Sequence, residues 1–368
     1  MTIAVLGNTP ELSALELGTQ WLGGQLALLD HPVDIHGLGG TIKLVESIVS
    51  LDVIESILGN IPSDHKLVFG FSVYAGDATV TKSQLKQRAQ ELRNLGMELK
   101  KRLKAEGRSV RFVVSDDVAL SSVIVTKEHL LRDQTDFIVG LFKDRTVYGR
   151  TTAVQDFKTF SNRDFGRPQR DTFSGMLPPK VARMMLNIAH PKPTDTILDP
   201  FCGSGTVIQE ALSLGFTKVT GSDISKKCID DTTANVHWLI EQVPTINTDD
   251  LNLYQHDVLQ LSKLLPARSV NVIVAEGYLG PVQLQNLDQI IPELTQFYTN
   301  MFAELAKIVT TDARLVLALP NWKQGDQIKD MHLDNAIRQA GFKVWHAPIL
   351  YGRPDARVVR KIIFIQPA

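Results

Sequence analysis

Asp199-Pro200-Phe201-Cys202-Gly203-Ser204-Gly205-Thr206 decides the reading of this chain. The run follows a short apolar strand at 196–199 and opens a helical stretch at 207–214, closed by Gly215. A glycine turn between strand and helix is where an open parallel sheet takes its ligand, beyond the strand ends. Gly203 and Gly205 carry no Cβ, so backbone can approach a ligand closely there. Asp199 places a carboxylate at the turn, which suits a cationic amine and repels a pyrophosphate. The run also lacks the GxGxxG spacing of a dinucleotide site.

Outward from this turn, strands are expected at 218–223, 253–257, 270–276 and 314–320, with 343–351 and 360–366 as a closing antiparallel pair. Regular alternation of strands with helices from about residue 160 predicts an α/β, doubly wound parallel sheet. Asp223 ends the second strand, where an acid accepts hydrogen bonds from ribose hydroxyls. It also suits the N-cap of a helix starting near Ser225. Asp257, after the third strand, is placed either to meet an adenine amino group or to be a solvated loop acid. The first half mixes strands at 67–73, 109–114, 122–126 and 137–142 with a charged amphipathic helix at 82–102, and has no phosphate-type glycine loop. Polar residues 156–171, with Gly166 and Pro168, read as a linker between regions 1–155 and 172–368.

Composition bounds the possibilities. The 368 residues are 43% hydrophobic, enough for two domains with real cores. Lys and Arg number 39 against 40 Asp and Glu, so net charge supplies no attraction to nucleic acid and any such attraction must be local. Cys202 and Cys228 are too few for a disulfide framework and suit packing better than nucleophilic roles. The nine histidines show no metal-ligand spacing, and no metal is expected. The first Lys or Arg is Lys43, and the uncharged stretch between Glu16 and Asp30 is broken by Gly18, Gly23 and Gly24. A cytoplasmic protein without a membrane anchor is expected.

The run Arg170-Asp171-Thr172-Phe173-Ser174, then Leu177-Pro178-Pro179-Lys180-Val181-Ala182-Arg183 and Asn187, precedes DPFCGSGT. With it, the chain resembles the THUMP-containing tRNA guanosine-10 N2-methyltransferases of the archaeal and eukaryotic type. The N-terminal part of the resemblance rests on a strand pattern and on 136–150 (DFIVGLFKDRTVYGR). The seven-strand count is that of a class I Rossmann-like methyltransferase sheet. The resemblance implies an α+β THUMP-like RNA-binding region followed by an S-adenosylmethionine-dependent domain. Asp199, Phe201, Gly203, Gly205, Thr206, Asp223, Ile224, Asp257 and Val258 would hold the methyl donor, with Thr172, Phe173 and Ser174 closing over its methionine end. The implied partners are tRNA or another structured RNA and a small activating protein; oligomeric state is left open.

One loop departs from the family. Where these enzymes carry Asp-Pro-Pro-Tyr, this chain reads Ala275-Glu276-Gly277-Tyr278. Tyr278 keeps the aromatic place that stacks on a flipped base. Glu276 would be a substitute carboxylate, one position later on a longer arm, while Gly277 is expected to loosen the backbone. The expected function is methyl transfer to an exocyclic amine of structured RNA, guanine N2 of tRNA in the first instance. The alternatives are a catalytically silent RNA-binding protein and a DNA amino-methyltransferase.

Two basic patches are candidates for RNA phosphates. Between Lys82 and Arg111 stand ten basic and three acidic residues, Lys100, Lys101 and Arg102 among them. The other patch, nearer the glycine turn, comprises Lys158, Arg163, Arg167, Arg170, Lys180 and Arg183. A solvated helix face, with pairs such as Glu98–Arg102, is the bland account of the first.

Overall fold

The computed structural model describes residues 1–170, 176–280, 287–325, 327–353 and 356–368, and the chain divides into two units, Met1–Lys158 and Thr159–Ala368. The first unit is built on strands β1 (Thr2–Leu6), β2 (Leu26–Leu29), β3 (Thr41–Ile48), β4 (Leu67–Ala75), β5 (Val110–Val113), β6 (Asp136–Leu141) and β7 (Thr146–Val154). They form one mixed sheet in the order β2-β1-β3-β7-β6-β4-β5, with β4 parallel to β5 and β6 and the other pairs antiparallel. Its helices include α1 (Pro10–Glu16), α2 (Val53–Asn60), α3 (Lys82–Ala105) and α4 (Ser122–Lys127).

α3 starts at a reciprocal cap: Gln84 N donates to Thr81 Oγ1 at 3.3 Å and Thr81 N to Gln84 Oε1 at 2.8 Å. Its buried residues Ala89, Leu92, Gly96, Leu99 and Leu103 keep a helical period and pack on the sheet. A Cβ on Gly96 would meet the Phe112 ring at 2.3 Å, so glycine is tolerated mid-helix for close packing.

The strand expected at 122–126 is α4 instead. Ser121 Oγ accepts from Ile124 N at 3.3 Å, and this cap outweighs the strand propensity of a β-branched run. β1, β2, β3 and β7 went unread in the sequence; of their pairings, β3 with β7 joins segments about a hundred residues apart.

The second unit opens with α5 (Phe157–Ser161), whose first two residues belong to the first unit, and a π turn, Asn162–Gly166, where a linker was expected. Arg163 and Arg167 in this stretch are buried, which is why it is ordered. α6 (Pro179–Ala189) follows, with Pro179 at its first position, where a missing N–H costs nothing. Next come β8 (Ile197–Asp199), α7 (Thr206–Ser213), β9 (Val219–Asp223), α8 (Lys226–Gln242), β10 (Asn252–Gln255) and β11 (Val270–Glu276). The remainder is α9 (Leu287–Ile308), β12 (Val309–Gln324), β13 (Gln327–Lys329), α10 (Asp334–Gln339), β14 (Phe342–Tyr351) and β15 (Val358–Pro367).

The sheet order is β10-β9-β8-β11-β12-β15-β14, with β13 paired on β12. β10, β9, β8, β11 and β12 are parallel, and β15 runs antiparallel between β12 and β14. This is the expected class I Rossmann-like architecture. Met301, Phe302 and Leu305 of α9 are fully buried against it, each contributing roughly 1.5–3 kcal/mol. The order reverses at β8, flanked by β9 and β11. That reversal opens a crevice beyond the carboxyl ends of the strands.

Candidate active site

In that crevice lies a cavity of about 740 Å³. The turn after β8 supplies one wall. Gly203 has φ +53°, and its N–H donates to Asp223 Oδ2 at 3.1 Å. Gly205 is also left-handed, at φ +82°, but it does not line the cavity. Its missing Cβ makes room for Thr232, whose Cγ2 would lie 2.8 Å away, so its role is close packing of α7 on α8 and not approach to a ligand.

Asp199, Phe201, Gly203, Thr206, Asp223, Ile224, Asp257 and Val258 all line the cavity, with Glu276 and Tyr278 opposite. Thr172, Phe173 and Ser174 lie outside the described residues. Asp199 accepts from Phe201 N at 3.1 Å and is buried. Burial pushes its carboxyl well above the usual range, Asp223 and Glu276 add to the push by charge, and the Phe201 N–H opposes it. Such a carboxyl is relieved by a cation.

Asp223 Oδ1 accepts from Ser225 N at 2.9 Å, yet the N-cap of α8 is Ser225, whose Oγ accepts from Cys228 N at 3.4 Å. Asp223 therefore holds the glycine turn, and its oxygens keep further acceptor capacity. Asp257 caps the short helix Val258–Lys263 by accepting from Leu259 N at 2.9 Å and is half-buried at the cavity wall. Cys202 is buried and Cys228 half-buried on the cavity wall, and burial raises both thiols, away from nucleophilic use.

The loop after β11 is pinned, contrary to the loosening expected of Gly277. Gly277 N donates to Ala318 O at 3.0 Å, and Tyr298 Oη donates to Tyr278 O at 2.6 Å. A Cβ on Gly277 would stand 2.5 Å from Tyr298 Oη, so glycine admits the phenol that fixes the next carbonyl. The Tyr278 side chain is 49% exposed, edge-on to Phe297 with centroids 6.5 Å apart, and Phe297 in turn reaches Phe201 at 6.2 Å. Glu276 is ion-paired to Arg360 Nε. Met176, Phe297 and Arg360 on the wall were not singled out in the sequence, and Arg357, an exposed hairpin residue or an RNA contact by sequence, also lines the cavity. β15 brings Arg360 in by pairing it with Pro320 on β12, beside β11, a register that no local motif announces.

The basic patches resolve differently. Arg167 and Arg183 are buried, and with Arg163 they belong to the interior: Arg163 and Arg183 pair with the buried Glu210. They are not available to RNA phosphates. Lys180 is half-buried, with Nζ 5.4 Å from the Phe160 ring centroid and its ammonium shifted down by burial. Arg170 is exposed and lies over the exposed Phe165 ring. On α3, Arg102 bridges Glu98 and Glu55; beyond the end of the helix, Arg108 donates to the carbonyls of Leu58, Gly59, Ile61 and Pro62. The exposed cation there is carried by lysines, including Lys101, with Lys100 half-buried.

Against known proteins, residues 167–343 match the model of the RMKL-like, methyltransferase domain family. The structure of TrmN from Thermus thermophilus is similar over 100% of this chain and 99% of that one, with a TM-score of 0.52 at 15% identity. The second unit has the fold of a methyltransferase domain.

Two curated relatives bear out the resemblance drawn from DPFCGSGT. A tRNA (guanine(10)-N2)-dimethyltransferase of Methanothermobacter thermautotrophicus is 31% identical over 149 residues, 40% of this chain and 41% of that protein. A protein of the same name from Methanocaldococcus jannaschii is 29% identical over 119 residues, 32% of this chain and 28% of that protein. The chain thus matches about two-fifths or less of the length of these relatives. A DNA methylase model also matches residues 77–234, across the junction of the two units. Among the described residues, no helix is long and apolar enough to cross a membrane, and no group of His, Cys, Asp and Glu could hold a metal.

Proposed function

We propose that the protein transfers a methyl group from S-adenosylmethionine to an exocyclic amine of structured RNA, with guanine N2 of tRNA as the target. One observation carries this reading: a single cavity joins the acid-lined glycine turn after β8 to the Glu276-Gly277-Tyr278 loop after β11. Its volume suits a nucleoside-sized ligand. Asp199, buried among like charges, fits an ammonium group; Asp223 fits a ribose; Ile224, Asp257 and Val258 fit an adenine. Bound there, the donor supplies a methyl group on a sulfonium, which needs no base before attack by a neutral amine.

The remaining chemistry is positioning. Tyr278 offers a ring face to a flipped base. Glu276, oriented by Arg360, accepts from the amine and stabilises the positive charge that grows on it, and the proton is lost to solvent afterwards. The first unit acts as a THUMP-like RNA-binding region, with the lysines of α3 meeting phosphates. The names of the curated relatives support the tRNA guanine.

The DNA methylase match favours a second reading, an amine of duplex DNA. Both are tested by incubating the protein with S-adenosylmethionine and unmodified tRNA transcripts, with and without duplex DNA, and identifying methylated nucleosides by mass spectrometry. N2-methylated guanosine undiminished by DNA is expected. Methylated DNA adenine or cytosine would replace the first reading by the second, and another methylated ribonucleoside would overturn the target atom alone.

A further inference from the structure

Three buried arginines in the second unit are not equivalent. Arg163 and Arg183 are matched by the carboxylate of Glu210. Arg167, 2% exposed, has no carboxylate within ion-pair distance among the described residues. Its Nη1 donates to Thr206 Oγ1 at 2.8 Å, its Nη2 faces Met176 Sδ at 2.9 Å, and its Nε has no partner among the described residues.

A guanidinium has five N–H donors and a thioether is among the weakest acceptors in proteins, so the pairing is poor for both the charge and the geometry. The structural arginine Arg108 shows the contrast, with four carbonyl oxygens on its fork. Burial draws Arg167 down to about 10, with Arg170 adding to this and Asp164 and Glu210 opposing it, so it stays charged at neutral pH.

The two side chains bonded to Arg167, Thr206 and Met176, both line the cavity. Ser204 Oγ, also on the wall, lies 3.4 Å from the same sulfur. The first turn of α7 begins at Thr206, so its positive dipole end adds to the field there. An unmatched buried cation, a hydroxyl and a helix start thus surround one thioether at the edge of the cavity, where a carboxylate would be a far better acceptor.

We propose that Arg167, with Ser204, binds the carboxylate of the methyl donor's amino-acid end, at the place where the Met176 thioether stands. This rests on the reading of S-adenosylmethionine as donor. Asp199 and Arg167 then divide the two charges of the amino-acid end between them, the acid taking the ammonium and the guanidinium the carboxylate.

Titration calorimetry on the full chain tests it, using S-adenosylhomocysteine and 5′-methylthioadenosine, which share the thioether and adenosine while only the first carries the amino-acid end. Arg167→Met should weaken S-adenosylhomocysteine roughly 10- to 100-fold and leave 5′-methylthioadenosine within about twofold, with Arg167→Lys in between. Equal weakening of both ligands would assign Arg167 a structural role and overturn the proposal, as would no weakening of either. The carboxamide of S-adenosylhomocysteine needs no variant: on the unaltered protein it should bind roughly 10- to 100-fold more weakly than the acid, and equal affinity overturns the carboxylate site. If the unaltered protein bound neither thioether ligand, the donor reading itself would fall, and this site with it, a result distinct from selective loss.

Discussion

Arg360 of β15 donates through Nε to Glu276 Oε1 at the end of β11, and the two side chains are 14% and 16% exposed at the cavity wall. A carboxylate held by a guanidinium keeps its direction, which a lone glutamate on a loop would not. The pair should therefore act as a unit. Glu276→Gln and Arg360→Leu are each expected to lower kcat by roughly 100-fold with little change in donor affinity. The double variant should lose no more than the worse single one. Losses that multiply would show two independent roles.

The contact of Tyr298 with Gly277 and Tyr278 predicts coupled stabilities. Gly277→Ala pushes a Cβ to 2.5 Å from Tyr298 Oη, an overpacking worth about 1–3 kcal/mol. Tyr298→Phe forfeits the bond to Tyr278 O, about 1 kcal/mol. Removing the phenol oxygen also removes the nearest clash, so the double variant should unfold at a higher urea concentration than the summed losses imply. Relief will be partial, because Leu319 Cδ2 stands at 3.1 Å and Tyr298 Cε1 at 3.2 Å from the same Cβ. Simple additivity would refute the contact.

Glu210 on the buried face of α7 carries two buried guanidiniums on one carboxylate. Replacing it with Gln leaves Arg163 and Arg183 as buried cations without their counter-charge. The expected cost is about 3–5 kcal/mol, a fall in Tm of roughly 10 °C for a unit of this size. A thermal melt showing a shift under about 2 °C would mean that water already screens the cluster.

His65 in the first unit meets Asp133 Oδ2 through Nε2 at 2.8 Å and Asp64 Oδ1 through Nδ1 at 2.6 Å. The bond to Asp133, then that to Asp64, raises its pKa above 6.5. A raised folded pKa means stabilisation fully present below the unfolded value and lost as pH climbs through the folded one. His65→Gln should accordingly lower the unfolding midpoint at pH 5.5 and leave it unchanged near pH 9. An equal loss at both pH values would point to packing instead of charge.

Much of the second unit was legible because its signals are local. β11 matches the expected run at 270–276, and the closing antiparallel pair lies where alternation and apolar content put it. Asp199, Asp223 and the glycine turn were readable since strand, turn and helix are contiguous in the chain. The first unit was harder: β3 pairs with β7 about a hundred residues further along the chain, and Ser121 made a helix of a stretch whose side chains favour a strand.

Residue identity placed an acid-lined turn at a parallel strand end and a carboxylate with an aromatic after the fourth strand. Both follow from short-range pattern and chain order. Which charges face the cavity was decided only by tertiary structure. Arg167 and Arg183 read as surface cations until burial set them in the interior, and Arg360 read as a hairpin residue until the register of β15 on β12 set it against Glu276. Charge in a sequence has no address: desolvation and pairing depend on neighbours that only folding brings near, and they decide whether a cation meets solvent, a carboxylate or a ligand.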